Sequence, residues 1–269
     1  MAYIEIDRVS KSFGRGPSTR HILEDVSLKV RRGEFVSIVG FLGSGKTTLL
    51  NVLAGLVTPE RGTIRINGVV STGMPRGAAF VFQNYSLLPW FSAGENVRLA
   101  VAAAFPTWPR ARQAEQARTF LGKVGLGNAV HRRPGQLSGG MRQRVAIARA
   151  FATEPEILFL DEPFGALDAL TRANLQQELA RLCDSTDRPV TTIMITNSVD
   201  EALLLSDRIV PMTRGPRARL GHPVAVDIPR PRTPDRLAHE ELAVRARAHV
   251  VEALTRPPGE VPSAESSAA

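Results

Sequence analysis

The chain has 269 residues, of which 43% are hydrophobic and 22% are charged, and its formal net charge is +8. This composition excludes a fibrous or mostly disordered protein, and the length suffices for one domain with a buried core and a small subdomain. The single cysteine, Cys183, excludes an internal disulfide framework. No stretch reaches roughly 18 uninterrupted apolar residues, and the N-terminal residues lack an apolar signal-peptide core, so we expect neither a membrane span nor a secretory leader.

The N-terminal third alternates short apolar runs with glycine turns, a pattern that predicts β-strands. Strands are expected over residues 3–9, 22–30, 35–39 and 79–82. Between the last two, a glycine-rich segment leads into an apolar helix over 47–56, which Thr58-Pro59 ends.

The middle of the chain predicts helices over 93–104, 111–126 and 141–152. Two short, uniformly apolar strands follow, 157–160 and 191–195, with a helix over 170–182 between them. This βαβ spacing favours a parallel sheet that is covered on both faces.

The C-terminal region is rich in arginine and proline. Between Arg208 and Arg256 there are ten arginines, no lysine and five acidic residues, a net charge of +5. Such a surface suits nucleic acid, anionic lipid or an acidic partner, but a solvated, arginine-rich surface without a partner is the favoured interpretation. A strand over 224–228, one helix over 236–254 and a disordered tail over 257–269 are expected here.

Residues 40–48, GFLGSGKTT, satisfy the pattern G-x-x-x-x-G-K-[ST] between a predicted strand and a predicted helix. Its glycines let successive N–H groups turn onto phosphate oxygens, and the helix N-terminus adds a positive dipole end. We expect Lys46 to reach the β- and γ-phosphates and the Thr47 hydroxyl to bind Mg²⁺. Leu42 is bulky for such a loop, and it either narrows the approach to the phosphates or contributes only its N–H group. The expected nucleotide-binding residues are Gly40, Phe41, Leu42, Gly43, Ser44, Gly45, Lys46, Thr47 and Thr48.

A second set of polar groups follows the apolar strand over 157–160. Asp161 and Glu162 come directly after it, at the carboxyl end of a parallel strand, where they would face the phosphate crevice. Asp161 suits contact with Mg²⁺, and Glu162 suits activation of the attacking water as a general base. Without the phosphate loop, this pair would be interpreted as a helix N-cap.

The segment LSGGMRQR, residues 137–144, places a hydroxyl and two glycines at a helix N-terminus. Free N–H groups and a positive dipole end make such a turn an anion site, although Ser138 alone would also serve as an ordinary N-cap. With the phosphate loop and the acidic strand end, this segment resembles the signature motif of ABC transporter ATPases. The resemblance covers roughly residues 3–256, and it implies that Ser138, Gly139, Gly140 and Gln143 belong to a nucleotide site.

The resemblance implies roles for further residues. Phe13 matches the aromatic that stacks on adenine, with a buried strand residue as the alternative. Gln83 matches the glutamine that touches Mg²⁺ and relays permease movement, and Asp168 matches the aspartate that crosses a dimer interface. Residues 83–91, QNYSLLPWF, fall where the family docks its permease. The apolar side chains there form either a docking patch or local core; they are Leu87, Leu88, Trp90 and Phe91.

One position departs from the family pattern. The family usually places a histidine after the last core strand, whereas this chain has Asn197, and its five histidines lie elsewhere. An asparagine amide still donates a hydrogen bond but cannot carry a proton. We expect Asn197 to contact the γ-phosphate or the attacking water, and the catalytic set to be Glu162, Asn197 and Lys46, with Thr47, Gln83 and Asp161 at the metal.

The resemblance implies an α/β fold with a P-loop NTPase core. Its sheet is mixed and largely parallel, with an N-terminal antiparallel β portion and an inserted α-helical subdomain over about residues 92–150. The implied function is ATP hydrolysis for an ABC importer of a small anion, with nitrate first and sulfonate, taurine, bicarbonate or cyanate as alternatives.

The implied cofactors are ATP and Mg²⁺, and the implied partners are a second ATPase subunit, a permease and an extracytoplasmic binding protein. The subunit would lie on the cytoplasmic face of the inner membrane, without nucleic acid. A soluble ABC ATPase that acts on nucleic acid or ribosomes is the alternative of a different class.

Overall fold

The computed structural model describes residues 2–165, 167–184 and 189–255. The strands are β1 (Ile4–Phe13), β2 (Arg20–Val30), β3 (Phe35–Gly40), β4 (Arg61–Ile66), β5 (Val69–Val70), β6 (Ala78–Val81), β7 (Ile157–Asp161), β8 (Thr191–Thr196), β9 (Arg208–Met212) and β10 (Val224–Ala225). The helices are α1 (Lys46–Leu53), α2 (Ala93–Ala104), α3 (Arg110–Lys123), α4 (Gly139–Phe151), α5 (Ala169–Asp184), α6 (Val199–Leu205), α7 (Pro234–His239) and α8 (Glu241–Thr255).

The larger sheet has the order β10-β9-β3-β8-β7-β6 in the described chain. Every pairing in it is parallel except that of β10 with β9. A smaller antiparallel sheet has the order β2-β1-β4-β5. The expected α/β fold is therefore confirmed, with a mixed, largely parallel sheet and an antiparallel N-terminal portion.

Alternate residues of the central strands feed two separate cores, because successive side chains of a strand point to opposite faces. Leu158 and Leu160 join the core under α4, whereas Ile157 and Phe159 join the core that α1 and the antiparallel sheet cover. Burial on both faces explains why these strands are continuously apolar.

Helices α2, α3 and α4, which follow β6 and precede β7 in the sequence, pack against one another as a helical layer. Helix α2 has the predicted bounds, since Ser92 and Glu95 form a reciprocal capping box at its start. Helix α3 ends three residues before its predicted end, because the chain turns at Gly125, which has a φ of 71°.

The structure corrects two further predictions and adds three strands, β4, β5 and β9, and helix α6, none of which was predicted. The hairpin of β4 and β5 was not predicted, although Asn67-Gly68 between them is a strong hairpin signal. The expected strand over 224–228 narrows to β10, because Ala225 already pairs with Arg208, the first residue of β9, and the partner strand offers no further residue. The single helix expected over 236–254 is wrong: Glu240 is extended, and this break lets Leu237 of α7 and Ala243 of α8 both reach the core.

The predicted disordered tail over 257–269 lies outside the described residues. Within the described ranges, no helix combines the length and the hydropathy needed to cross a bilayer.

The sheet brings three functional segments to one edge. The phosphate loop follows β3, Asp161 ends β7, and Asn197 follows β8, and these three strands are neighbours in the order β3-β8-β7. The carboxyl ends of parallel strands form the usual ligand crevice of an open α/β sheet.

Candidate nucleotide-binding and hydrolysis site

The loop between β3 and α1 has the shape that a phosphate cradle requires. Gly43 and Gly45 have φ values of 77° and 96°, which favour glycine, and a Cβ on Gly45 would lie 2.7 Å from the Ile22 side chain. The loop thus delivers the chain into the N-terminus of α1, where free N–H groups meet the positive end of the helix dipole. The Ser44 hydroxyl is buried and has no hydrogen-bond partner within the described structure. It is therefore available to donate a hydrogen bond to a phosphate oxygen.

The ammonium group of Lys46 lies at the centre of the site and is only 4% exposed. It donates to the carbonyl oxygens of Gly40 (2.9 Å) and Phe41 (3.0 Å) and to Asn197 Oδ1 (2.6 Å). These bonds occupy all three donors of an ammonium. Burial lowers the pKa of Lys46, and the carboxylate of Glu162, 3.7 Å away, opposes that shift.

Asn197 joins the lysine to the acid. Its Oδ1 accepts from Lys46, and its Nδ2 donates to Glu162 Oε1 at 3.0 Å. A neutral amide can serve a cation and an anion at once in this way, because it has both an acceptor and donors. The expected site residues Lys46, Asn197 and Glu162 therefore form one hydrogen-bonded chain, which we call the Lys–Asn–Glu bridge.

Glu162 adopts a strained backbone conformation. Its φ is 42°, unusual for a residue with a side chain, and its N–H group donates to the carbonyl of Ile195 on β8. Strain of this kind is found at functional sites, where it aims a side chain. Here it turns the carboxylate towards Asn197 and towards Gln83, whose Nε2 lies 3.4 Å from Glu162 Oε2.

Thr47 and Asp161 form the part of the site that suits a metal ion. The Thr47 hydroxyl donates to Asp161 Oδ1 at 3.2 Å, and the Gln83 amide contacts the neighbouring Glu162. Hydroxyl, carboxylate and amide oxygens are the ligands that Mg²⁺ takes beside phosphates, so the donor set fits the predicted ion. Burial raises the pKa of the Asp161 carboxyl, and the hydrogen bond from Thr47 opposes that shift.

Phe13 lies at the end of β1, pairs with Arg20 of β2 and is 46% exposed. The buried-strand alternative for Phe13 is therefore wrong. Arg20 lines a cavity of about 370 Å³ together with Gly43 and Ser44 of the phosphate loop. Phe13 is thus the strand neighbour of a residue that lines a cavity shared with the phosphate loop.

Two phosphate-loop side chains, Phe41 and Leu42, lie at the surface. Leu42 is 86% exposed. The guanidinium of Arg214 lies 4.0 Å from the centre of the Phe41 ring. Arg214 was missed by sequence reasoning, since no local pattern links the segment after β9 to the loop after β3.

The predicted signature lies at the start of α4. Ser138 is exposed and caps the helix by accepting from the Met141 N–H group at 3.3 Å, and Gly140 has no room for a Cβ, which would lie 2.4 Å from Thr171. Gln143 is buried, with neither amide atom hydrogen-bonded in the described structure. Asp168 is exposed and caps α5 through the Thr171 N–H group. These residues surround the start of α4, whereas Gln83, Asp161 and Glu162 lie at the sheet edge.

The segment from Gln83 to Phe91 is divided between core and surface. Leu87 packs on the core, whereas Trp90 is 62% exposed. Arg149 of α4 donates to the carbonyl oxygens of Tyr85 (2.8 Å) and Ser86 (2.5 Å), both of which have a left-handed φ. The helix that begins at the signature is therefore tied directly to the segment that begins at Gln83.

The strand order, the phosphate loop and the acidic strand end together define a P-loop nucleotide-binding protein. Comparison with known proteins narrows the class: the family model described as "ABC transporter" matches residues 23–165. The chain therefore belongs to the ABC transporter family of ATP-binding proteins, as the resemblance predicted.

The chain is similar to two curated relatives and to one solved structure. The nitrate import ATP-binding protein NrtD of Synechococcus elongatus is 44% identical over 256 residues, which are 94% of this chain and 92% of that protein. The bicarbonate transport ATP-binding protein CmpC of the same species is 43% identical over 250 residues, 93% of this chain but 37% of that protein, so the chain spans little more than a third of such relatives. The ATP-binding cassette MJ0796, solved as a dimer bound to ADP and Pi, has a TM-score of 0.74 at 30% identity and covers 84% of this chain and 99% of its own.

We predict that the buried carboxyl of Asp161 lowers the stability of the protein when no nucleotide or metal ion is bound. The pKa of this carboxyl is higher in the folded protein than in the unfolded chain. The free energy of unfolding therefore falls as the pH rises from the unfolded-state pKa through the folded-state pKa. Without nucleotide or Mg²⁺, we expect Asp161→Asn to raise the free energy of unfolding by on the order of 1 kcal/mol at neutral pH, and by less in acid. Urea unfolding at several pH values measures this. The exposed Asp227→Asn is the control and should show no such trend; a loss of stability in Asp161→Asn at neutral pH would contradict the account.

Proposed function

We propose that the chain is the ATP-hydrolysing subunit of an importer for a small anion, nitrate or bicarbonate. The Lys–Asn–Glu bridge is the observation that carries this proposal, because it brings a phosphate-binding cation and a general base to one point of the crevice. Similarity to both nitrate and bicarbonate transport proteins supports the class of solute and leaves nitrate, the first expectation, level with bicarbonate.

Binding of the triphosphate would reorganise the lysine. All three Lys46 donors are already used, so phosphate oxygens must replace at least one present acceptor. Asn197 Oδ1 is the replaceable one, since the two carbonyl oxygens belong to the loop itself. The N–H groups of residues 43–48 would hold the other phosphate oxygens.

Glu162 would then act as the general base. Once Lys46 turns to the phosphates, the carboxylate keeps the hydrogen bond from Asn197 and loses its nearby cation, and it can orient and deprotonate a water. Mg²⁺ bound by Thr47 and Asp161, with Gln83 beside them, would neutralise charge on the phosphate oxygens. Asn197 would direct its amide to the γ-phosphate or to that water, but would not exchange a proton.

Two chains would complete each site. The turn at Ser138 and Gly139 presents a helix N-terminus to solvent, an anion-binding group with no anionic partner in the described chain. In a head-to-tail dimer, the signature of one subunit would close over the triphosphate held by the other. The solved relative, which is a dimer bound to ADP and Pi, supports the pairing of two chains.

The remaining partners follow from the import function. The exposed Trp90 and its neighbours would meet a permease, and Arg149 would carry movement between that contact and α4. The subunit would lie on the cytoplasmic face of the inner membrane, with an extracytoplasmic binding protein delivering the solute.

Dimer formation tests the composite site. We expect Glu162→Gln, which retains ATP by slowing hydrolysis, to dimerise when Mg-ATP is added, as measured by light scattering during size-exclusion chromatography. Adding Ser138→Asp should abolish that dimer, because the aspartate still caps α4 but repels the triphosphate of the other subunit. Thr119→Asp, exposed on α3, is the matched control. A Glu162→Gln chain that stays monomeric with bound ATP would refute the composite site.

Turnover tests the role of the asparagine. We expect Asn197→Ala to lower kcat for ATP roughly 10- to 100-fold in the assembled transporter, since it removes a hydrogen bond to a charged group. The control is Asn128→Ala, an exposed asparagine of the helical layer. An unchanged rate in Asn197→Ala would remove Asn197 from the mechanism.

A further inference from the structure

A buried acid stands behind Asn197. Glu201 lies in the first turn of α6, and its side chain is 8% exposed. Its carboxylate accepts from the Thr196 hydroxyl at 2.5 Å, and Gln176 Nε2 lies 3.4 Å away on α5. Burial raises the pKa of Glu201, which reflects the cost of placing a carboxylate there.

The contact with Thr196 reaches both sides of Asn197. Thr196 is the residue before Asn197, and its hydroxyl oxygen also accepts from the N–H group of Ser198, the residue after it, at 3.1 Å. The hydroxyl therefore closes the turn around Asn197, and Glu201 holds that hydroxyl in place. No other residue of α6 is placed to do this in the described contacts.

Helix capping alone does not explain this geometry. Ser198 is the N-cap of α6 and accepts from the Glu201 N–H group at 3.3 Å, which is half of a capping box. In a full box, the glutamate would accept from the N-cap N–H group in return. Here that N–H group is given to Thr196, and the glutamate accepts from the threonine hydroxyl instead.

Glu201 also faces the segment that the family places at the dimer interface. Arg172 Nε lies 4.0 Å from Glu201 Oε1, and Arg172 Nη2 donates to the carbonyl of Leu167 at 2.9 Å. The next residue is Asp168, the predicted interface aspartate. A short series of contacts thus joins Asp168 to the turn that carries Asn197.

We propose that Glu201 is a positioning residue that sets Asn197 for hydrolysis and links its turn, through Arg172, to the dimer-facing segment at Asp168. This inference rests on the proposed role of Asn197. Glu201 itself touches neither phosphate nor water, and it acts by holding the backbone on both sides of the asparagine.

A double-mutant cycle tests this proposal by measuring kcat and KM for ATP in the assembled transporter. We expect Glu201→Gln to lower kcat about tenfold with KM for ATP within about twofold, because the site still binds ATP but aims Asn197 poorly. In an Asn197→Ala background, Glu201→Gln should lower kcat no further, as expected for residues that act through one another. Asp200→Asn, an exposed acid on the same helix, is the matched control and should leave kcat unchanged.

The outcomes separate this inference from the function on which it rests. If Asn197→Ala lowers kcat and Glu201→Gln does not, or if the two losses multiply in the double variant, the positioning role is overturned while the role of Asn197 stands. If Asn197→Ala has no effect, both fall. If Glu201→Gln unfolds the protein, Thr196→Val takes its place in the cycle, because it removes the hydroxyl that Glu201 holds. The results expected for Thr196→Val are those given above for Glu201→Gln.

Discussion

The site is organised around one buried cation, the ammonium of Lys46, which must have hydrogen-bond acceptors. The ammonium of Lys46 is almost fully excluded from solvent, and an unpaired charge there would cost several kcal/mol. Loop carbonyls and Asn197 supply its acceptors, and Glu162 supplies the nearest negative charge. This requirement keeps the ends of β3, β7 and β8 together, and it leaves a set of contacts that phosphate oxygens can replace.

Asparagine at position 197 gives the bridge a particular chemistry. A histidine at this place would add a group that titrates near neutral pH, whereas the amide keeps one charge state throughout. Its acceptor and donor are held at opposite ends of a rigid plane, so it can face Lys46 and Glu162 only if the turn around it is well placed. The contacts of Thr196, Ser198 and Glu201 provide that placement, and they give the helix after β8 a part in the site.

Much of the fold was predictable, because the central strands are short and apolar and the glycine loop is an unambiguous local signal. Helix α2 was predicted to the residue from its sequence pattern, and the structure adds the capping box that fixes its start. Lys46, Asp161 and Glu162 fell at the ends of predicted strands or helices. The break at Glu240 was not predictable from periodicity, since it depends on the burial of Leu237 and Ala243 against distant elements.

The contacts between strand ends were equally hidden from the sequence. Nothing in the spacing of residues 46, 162 and 197 shows that one amide joins the other two side chains. The contact of Glu201 with Arg172 likewise joins two helices, α6 and α5, that β8 separates in the sequence. Arg149 and Arg214 escaped notice for the same reason, because their partners are backbone atoms or a ring far away in the chain.

The most direct test is a crystal structure of Glu162→Gln with Mg-ATP. We expect Lys46 Nζ to leave Asn197 Oδ1 for oxygens of the β- and γ-phosphates, while the Asn197 amide keeps its contact with residue 162 and also donates to the γ-phosphate or the adjacent water. A structure in which ATP is bound and Lys46 keeps its three present acceptors would contradict the account.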